Sequence, residues 1–447
     1  MDNKSQNTQI IDIITSPKKL WAYIKFKATH PSVQKHSANM GWMFFGRIGG
    51  MIITLLATAY MARNLGPANY GQLSYAISYV GLFAFVASLG VEQILYRDLI
   101  KFPEKRDVYM GTVITIRFVA SILAIVICVL SAYIWSSKDV SLFLIFIVSL
   151  TYVLGTFQLL SYEFQAEAKA KFPSISSLII VFILNVLKIV VIMFGQGVIY
   201  LALVILAEPL LYSIGLLYLR IREYGTIKYW RFDYKIAKSM LKDSFPLIFA
   251  SAFFALYARI DQVMIKHMLN TESVGLYDSA VRISELGYFV PNIIVGALFP
   301  ALINSKKIST SVYSDRTKKL FLLLIGVSLL IALTTMILSK YFVLIIFGAG
   351  FIGAVTVLKI YVWSNIGAAI NLLMHQLLVV ENLTKIVTIS IFSGMIFNVV
   401  LNFLLIPIYG MTGAAVASLI SYFIPTFSLL LFKSSRNMLK DLFIKNK

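Results

Sequence analysis

Long apolar stretches separated by short polar ones run along nearly the whole chain. We count twelve of them, over 40–62, 71–95, 108–134, 140–162, 173–194, 197–219, 243–266, 276–303, 320–338, 355–379, 384–406 and 409–432. A helix needs about 20 mainly apolar residues to cross the hydrocarbon core of a bilayer. Lipid satisfies no backbone polar group, so a spanning segment is a helix or part of a closed barrel. Runs of twenty-odd apolar residues, rather than ten-residue alternations, predict helices. The expected fold is therefore an all-α polytopic membrane protein of twelve transmembrane helices. Before the tenth stretch the apolar run is interrupted by Gly348, Gly350 and Gly353, which predicts a partly embedded connector.

The pattern repeats. Residues 63–76 read RNLGPANYGQLSYA and residues 267–280 read HMLNTESVGLYDSA, so Leu65, Gly71 and Ala76 align with Leu269, Gly275 and Ala280, 204 positions on. Midway lies the most basic connection, 220–242, with Arg220, Arg222, Lys228, Arg231, Lys235, Lys238 and Lys242. It divides the chain into two pseudo-repeated six-helix lobes, 40–219 and 243–432, with tails at 1–39 and 433–447 and a central cavity between the lobes. Transporters built from repeats bind substrate at the repeat interface. A duplicated scaffold without transport would leave the charges inside the spans unexplained.

Composition agrees with the pattern: 59% of residues are hydrophobic and 13% charged, against roughly a quarter charged in globular proteins. A net charge of +20 points to nucleic acid only when the basic residues cluster on a soluble module. Here they alternate with the helices, 30 Lys and Arg on one set of connections and 4 on the other when Lys266 and Lys385 at the span ends are counted with the connections. The excess marks the cytoplasmic side, which places both termini in the cytoplasm and the Gly66-Pro67 turn outside. The first 39 residues lack the features of a signal peptide and read as a cytoplasmic tail, with an interfacial helix around Leu20 to Phe26. The lone Cys128 leaves no disulfide within the chain and no paired-cysteine metal site. No metal or nucleotide motif occurs in its required context, so no catalytic residue, cofactor or metal is expected.

An ionisable side chain at membrane depth is costly unless it meets a partner or a wet cavity. Six basic residues fall inside the spans: Arg47, Arg117, Lys188, Arg259, Arg282 and Lys359. At 100° per residue Arg47 lies within about 20° of Thr54 and Thr58. Lys188 shares a side with Ser174, Ser177 and Asn185, and Ser74, Ser78, Gly81, Ser88 and Glu92 form one polar stripe. Such hydroxyls can also serve only to join helices. Asp278, Arg282 and Glu285 share a face and can neutralise one another, whereas Arg259 and Asp261 point to opposite sides. A surplus of cations suits an anionic substrate such as a pyrophosphate, with Arg as a bidentate ligand and Lys as a point charge. Glu92, Glu208, Asp261 and Glu285 are the candidate ion-coupling acids. Pro209, Pro246, Pro291, Pro300 and Pro425 are expected to bend their helices.

In ARNLGPANYGQLSYA after the first span, ARIDQVMI and VGLYDSAVRISEL around the seventh and eighth, and NFLLIPIYGMTGAAVASLIS joining the last two, the chain resembles the polysaccharide transporter family of the multidrug/oligosaccharidyl-lipid/polysaccharide exporter superfamily. These are the O-antigen and capsule flippases. The resemblance implies an alternating-access flippase for undecaprenyl-pyrophosphate-linked oligosaccharides in the bacterial inner membrane, coupled to an ion gradient. It implies that Arg47, Arg117, Lys188, Arg259, Arg282 and Lys359 line a cationic lumen, and that a polymerase and glycosyltransferases are possible partners. Related lipid II flippases have two further helices, for which this chain has no room. The alternative within the fold is a small-molecule or multidrug exporter, against which the cation surplus argues. A membrane polymerase or ligase would need a large outward loop, and none is present.

Overall fold

The computed structural model describes residues 31–135, 140–307 and 309–443. Among them there is no strand. The helices are α1 (Pro31–Gly81), α2 (Ala84–Ser88), α3 (Val91–Lys101), α4 (Arg106–Trp135), α5 (Val140–Ser149), α6 (Thr151–Leu154), α7 (Leu160–Ala166) and α8 (Lys171–Met193). They continue as α9 (Val198–Tyr224), α10 (Tyr234–Met268), α11 (Thr271–Lys306), α12 (Thr310–Ile346), α13 (Ala354–Tyr361), α14 (Ser364–Val380), α15 (Thr384–Ser428) and α16 (Lys433–Phe443). Local sequence sets several starts: the side chains of Asp233, Asn270 and Ser309 each accept a backbone N–H in the first turn of α10, α11 and α12, which satisfies donors that a helix leaves free.

Among the described residues nine helices are long and apolar enough to cross a membrane, or ten when the pair Ser141–Leu154 and Thr156–Ala166, bent by 41°, is taken as one. Two of these contain a non-helical residue: Gly66 in α1 (φ 72°, ψ 168°) and Gly410 in α15 (φ 60°, ψ −144°). Positive φ is accessible to glycine without a Cβ penalty. At Gly410 the chain doubles back, since a Cβ on Gly413 would collide with the Leu405 carbonyl oxygen. Residues eight apart in a straight helix are about 12 Å apart. The two arms of α1 meet at Gly66: Arg63 reaches Ile346, and Gly71 lies on Thr271. Each break joins two of the twelve expected spans, which is where the expectation and the count of long helices differ.

Three cores organise the packing. At the Gly66 end one core joins both halves of the chain, with Tyr70, Leu73, Tyr75 and Ala76 packed among Ile265, Val274, Tyr277, Phe347 and Phe351. At the opposite end the cores are separate. One gathers Val91, Leu95, Met110, Phe164, Leu216 and Met240, the other Val295, Leu324, Leu373, Leu377 and Leu429. The molecule is thus closed at the Gly66 end and divided at the other.

The basic connection expected over 220–242 is shorter in the structure, because α9 runs to Tyr224 and α10 starts at Tyr234. It is also pinned. Arg220 is 1% exposed, pairs with Asp107, and donates to the Gly225 and Thr226 carbonyls at 2.9 and 3.1 Å. The Arg231 backbone crosses Gly111 so closely that a Cβ there would lie 2.7 Å from its nitrogen. The start of α10 belongs to the first-half core through Ala237 and Met240. Both expected tails contain helix among the described residues. Residues 31–39 are helical and open α1, while the helix expected around Leu20 to Phe26 lies outside the described residues. Lys433–Phe443 forms α16, whose Phe443 meets Phe321 at 5.1 Å between ring centres and whose Leu442 carbonyl accepts from Ser314.

Candidate functional site

Where α1, α8 and α11 face one another, a cavity of about 350 Å³ opens between them. Arg47, Thr54 and Thr58 line it from α1, Ser177 from α8, and Arg282 and Glu285 from α11. The α1 residues sit one to three turns apart on one face, as the 100° spacing requires. Gly46 and Gly49 let α8 approach closely, since Cβ atoms there would lie 3.2 and 3.0 Å from Ser174 and Leu178. Beside the cavity, buried Lys188 lies 3.4 Å from Asn185 Oδ1, and Asn185 reaches Thr54 at 3.5 Å. The charges of Glu208 and Arg282 both reach Lys188. Arg47 is exposed and has no ion-pair partner among the described residues.

The cavity ends against a polar seam between the two halves of the chain. Asp278 of α11, 1% exposed, accepts from Arg282 Nε at 2.7 Å, Ser74 Oγ at 3.0 Å, Gln262 Nε2 at 2.9 Å and Tyr70 Oη. Ser78 in turn donates to Gln262. Successive turns of the second arm of α1 thus meet α10 and α11. The backbones touch as well. A Cβ on Gly71 would overlap the Thr271 carbonyl oxygen, and one on Gly275 the Pro67 carbonyl oxygen. At the corner, Arg63 donates to the carbonyls of Ile346 (3.0 Å), Leu344 (3.2 Å) and Ile345, the last turn of α12. A cation there satisfies free carbonyls and the helix dipole together. The repeated sequence element is therefore the seam itself.

A second buried carboxylate lies on the other side of α10. Asp261 accepts from Tyr277 Oη at 2.7 Å, Asn402 Nδ2 at 2.6 Å and Ser418 Oγ, and Asn402 also donates to Asn398 at 3.2 Å. No basic residue pairs with Asp261 among the described residues, and Asn402 Oδ1 is buried without a hydrogen bond. Tyr277, Asn398, Asn402 and Ser418 escaped sequence reasoning because neutral polar residues carry no charge signal.

The remaining candidates separate. Arg259 stands across from Gly81, where a Cβ would meet its Cγ at 3.6 Å, and its charge reaches Asp278. Arg117 and Glu92 lie apart from the cavity and neutralise each other at 2.7 Å, with Tyr162 donating to Glu92 at 3.3 Å. Both charges are thus paired with each other, apart from the cavity. Lys359 is exposed on the short helix α13 and does not line the cavity. Helical periodicity gave each residue a face; it could not say which neighbour that face would meet.

Three comparisons set this geometry beside known proteins. The family model described as polysaccharide biosynthesis protein matches residues 37–306. The probable low-salt glycan biosynthesis flippase Agl15 of Haloferax volcanii is 22% identical over 398 residues, covering 86% of this chain and 80% of its own. Two solved structures share the fold. One is a multidrug resistance MATE family transporter in its inward-facing conformation, with a TM-score of 0.66 at 12% identity, covering 88% of this chain and 95% of that one. The other is the lipid II flippase MurJ in an inward closed conformation, with a TM-score of 0.65 at 17% identity, covering 91% and 90%.

Proposed function

The chain belongs to the polysaccharide biosynthesis protein family, and on that premise we propose that it is a flippase for lipid-linked glycans rather than an enzyme that builds them. Its cargo is an undecaprenyl-pyrophosphate-linked oligosaccharide of an O-antigen, capsule or exopolysaccharide pathway, moved to the outer leaflet of the bacterial inner membrane. The observation that carries this reading is the pair Arg47 and Arg282 on opposite walls of one cavity, with Lys188 and Arg259 close by. Guanidinium groups bind phosphate oxygens in a planar fork, and helices at membrane depth give the lipid tail somewhere to remain. The flippase names of Agl15 and MurJ support the same class.

The Lys and Arg count supports an orientation with the Gly66 end outside and both termini in the cytoplasm. The closed seam then faces outward and the divided end inward, a state ready to receive cargo from the cytoplasm. Alternating access follows when lobes 40–219 and 243–432 rock about the connection between them. Asp261, buried without a cation, is the favoured site of ion coupling; polymerase and glycosyltransferases are downstream and upstream partners.

The test is reconstitution in liposomes with an undecaprenyl-pyrophosphate-linked glycan and a glycosidase that reads one leaflet. The wild-type protein should move glycan to the far leaflet, and Arg47→Glu should slow it by at least about tenfold, the loss of one charge-assisted contact. If the wild-type protein moved no glycan, the reading would be wrong; an unimpaired Arg47→Glu variant would remove Arg47 from the site.

A further inference from the structure

One guanidinium serves two places. Arg282 lines the cavity opposite Arg47, yet its Nε is held by Asp278 at 2.7 Å. The two ends of that pair differ in environment, since the Arg282 side chain is 29% exposed and that of Asp278 2%. Arg282 makes no other ion pair or hydrogen bond among the described residues, so its terminal nitrogens are open to the cavity. Asp278 is meanwhile the acceptor on which the seam converges, taking hydrogen bonds from Tyr70 and Ser74 of one half and Gln262 of the other.

From this arrangement we propose that Asp278 is an internal competitor for the cargo's phosphate, and that cargo opens the outer seam by drawing Arg282 away from it. The inference rests on the anionic cargo proposed above and names what that cargo does once bound. A pyrophosphate between Arg47 and Arg282 carries more charge than one carboxylate and offers the guanidinium a bidentate partner. When Arg282 turns to it, Asp278 loses its one ion pair among the described residues and keeps the hydrogen bonds of Tyr70, Ser74 and Gln262, while Arg259 acts on it by charge without an ion pair or hydrogen bond. A buried carboxylate that loses its cation strongly disfavours the state that buries it. The route to water is separation of α1 from α10 and α11, which parts the Gly71 and Gly275 backbones and opens the Gly66 end. An empty cavity returns Arg282 to Asp278 and closes the seam, so the outer end stays shut without cargo. Asp278 touches no cargo; it is a positioning residue acting through Arg282.

The measurement is the distance between spin labels on Asn69→Cys and Glu272→Cys, two exposed positions flanking the seam, in nanodiscs, with the native Cys128 buried. In the wild-type background the short distance should dominate, and undecaprenyl pyrophosphate should shift the population to longer distances. Undecaprenol, the tail without phosphate, should leave it unmoved. Asp278→Asn should show the long distance without ligand and no further shift on adding it. The double variant Tyr70→Phe, Ser74→Ala loosens the seam but keeps the Arg282 pair, so it should still respond; this keeps the inference testable if Asp278→Asn fails to fold. A wild-type protein indifferent to undecaprenyl pyrophosphate would overturn the inference together with the anionic-cargo reading. A ligand shift in Asp278→Asn equal to that of wild type, an equal shift with undecaprenol, or a silent double variant would overturn the inference alone.

Discussion

Two carboxylates on neighbouring helices show how much the partner decides. Asp278 meets a guanidinium, whereas Asp261 meets only hydroxyl and amide groups from Tyr277, Ser418 and Asn402. A carboxylate at membrane depth without a cationic side chain needs a proton or a bound cation to be tolerable. Asp261→Asn preserves shape and hydrogen bonding while removing the charge. We expect a folded protein whose glycan movement in liposomes no longer responds to an imposed proton or sodium gradient. Gradient dependence equal to wild type would exclude Asp261 as the coupling group. Arg117 and Glu92 teach the converse lesson: both fall inside expected spans, and their mutual ion pair at 2.7 Å leaves neither unpaired.

Among the elements, α10 and the connection before it join the two halves. Its first turns sit in the first-half core through Ala237 and Met240, while Asp261 is bound by Asn402 and Ser418 of the second half. The anchor is Arg220, buried between Asp107, the Glu163 carboxylate at 3.8 Å and the ring of Trp230 at 5.5 Å. Removing one partner of a buried pair leaves the other charge uncompensated, at a cost of about 3–5 kcal/mol. Arg220→Ala should lower the thermal unfolding midpoint clearly, whereas Arg222→Ala, an exposed neighbour, should leave it close to wild type. Equal midpoints for the two variants would show that the connection is not anchored there.

For the whole molecule, the decisive contact is the crossing of Gly71 and Gly275. Neither position tolerates a Cβ in the closed form, because it would overlap the carbonyl oxygen of Thr271 or Pro67. Overpacking typically costs about 1–3 kcal/mol, and here the strain falls on the closed state alone. Gly71→Ala and Gly275→Ala should therefore shift the protein toward a form open at the Gly66 end, read as increased labelling of a cysteine at Thr58 by an impermeant maleimide added from outside. Labelling unchanged from the parent Thr58→Cys protein would mean that the glycine crossing does not hold the seam shut.

The sequence by itself determined the helical class, the places where the chain must turn, the repeat at 63–76 and 267–280, and the side with the basic connections. These follow from local properties: segment length, apolar runs, glycine's freedom at positive φ, and Lys and Arg counts. It also put Arg47, Thr54 and Thr58 on one face, because that needs only the pitch of a single helix. Tertiary structure alone decided which charges are free. Arg47 has no ion-pair partner among the described residues in the cavity it shares with Arg282, Arg282 is paired with Asp278 and Arg117 with Glu92, and Lys359 is exposed away from the cavity. That outcome depends on which faces of different helices meet, and pairing across 204 positions, as between Ser74 and Asp278, leaves no periodic trace in either segment. For the same reason the alignment of Gly71 with Gly275 marks a repeat in the sequence, and only the fold shows the Thr271 carbonyl lying across Gly71.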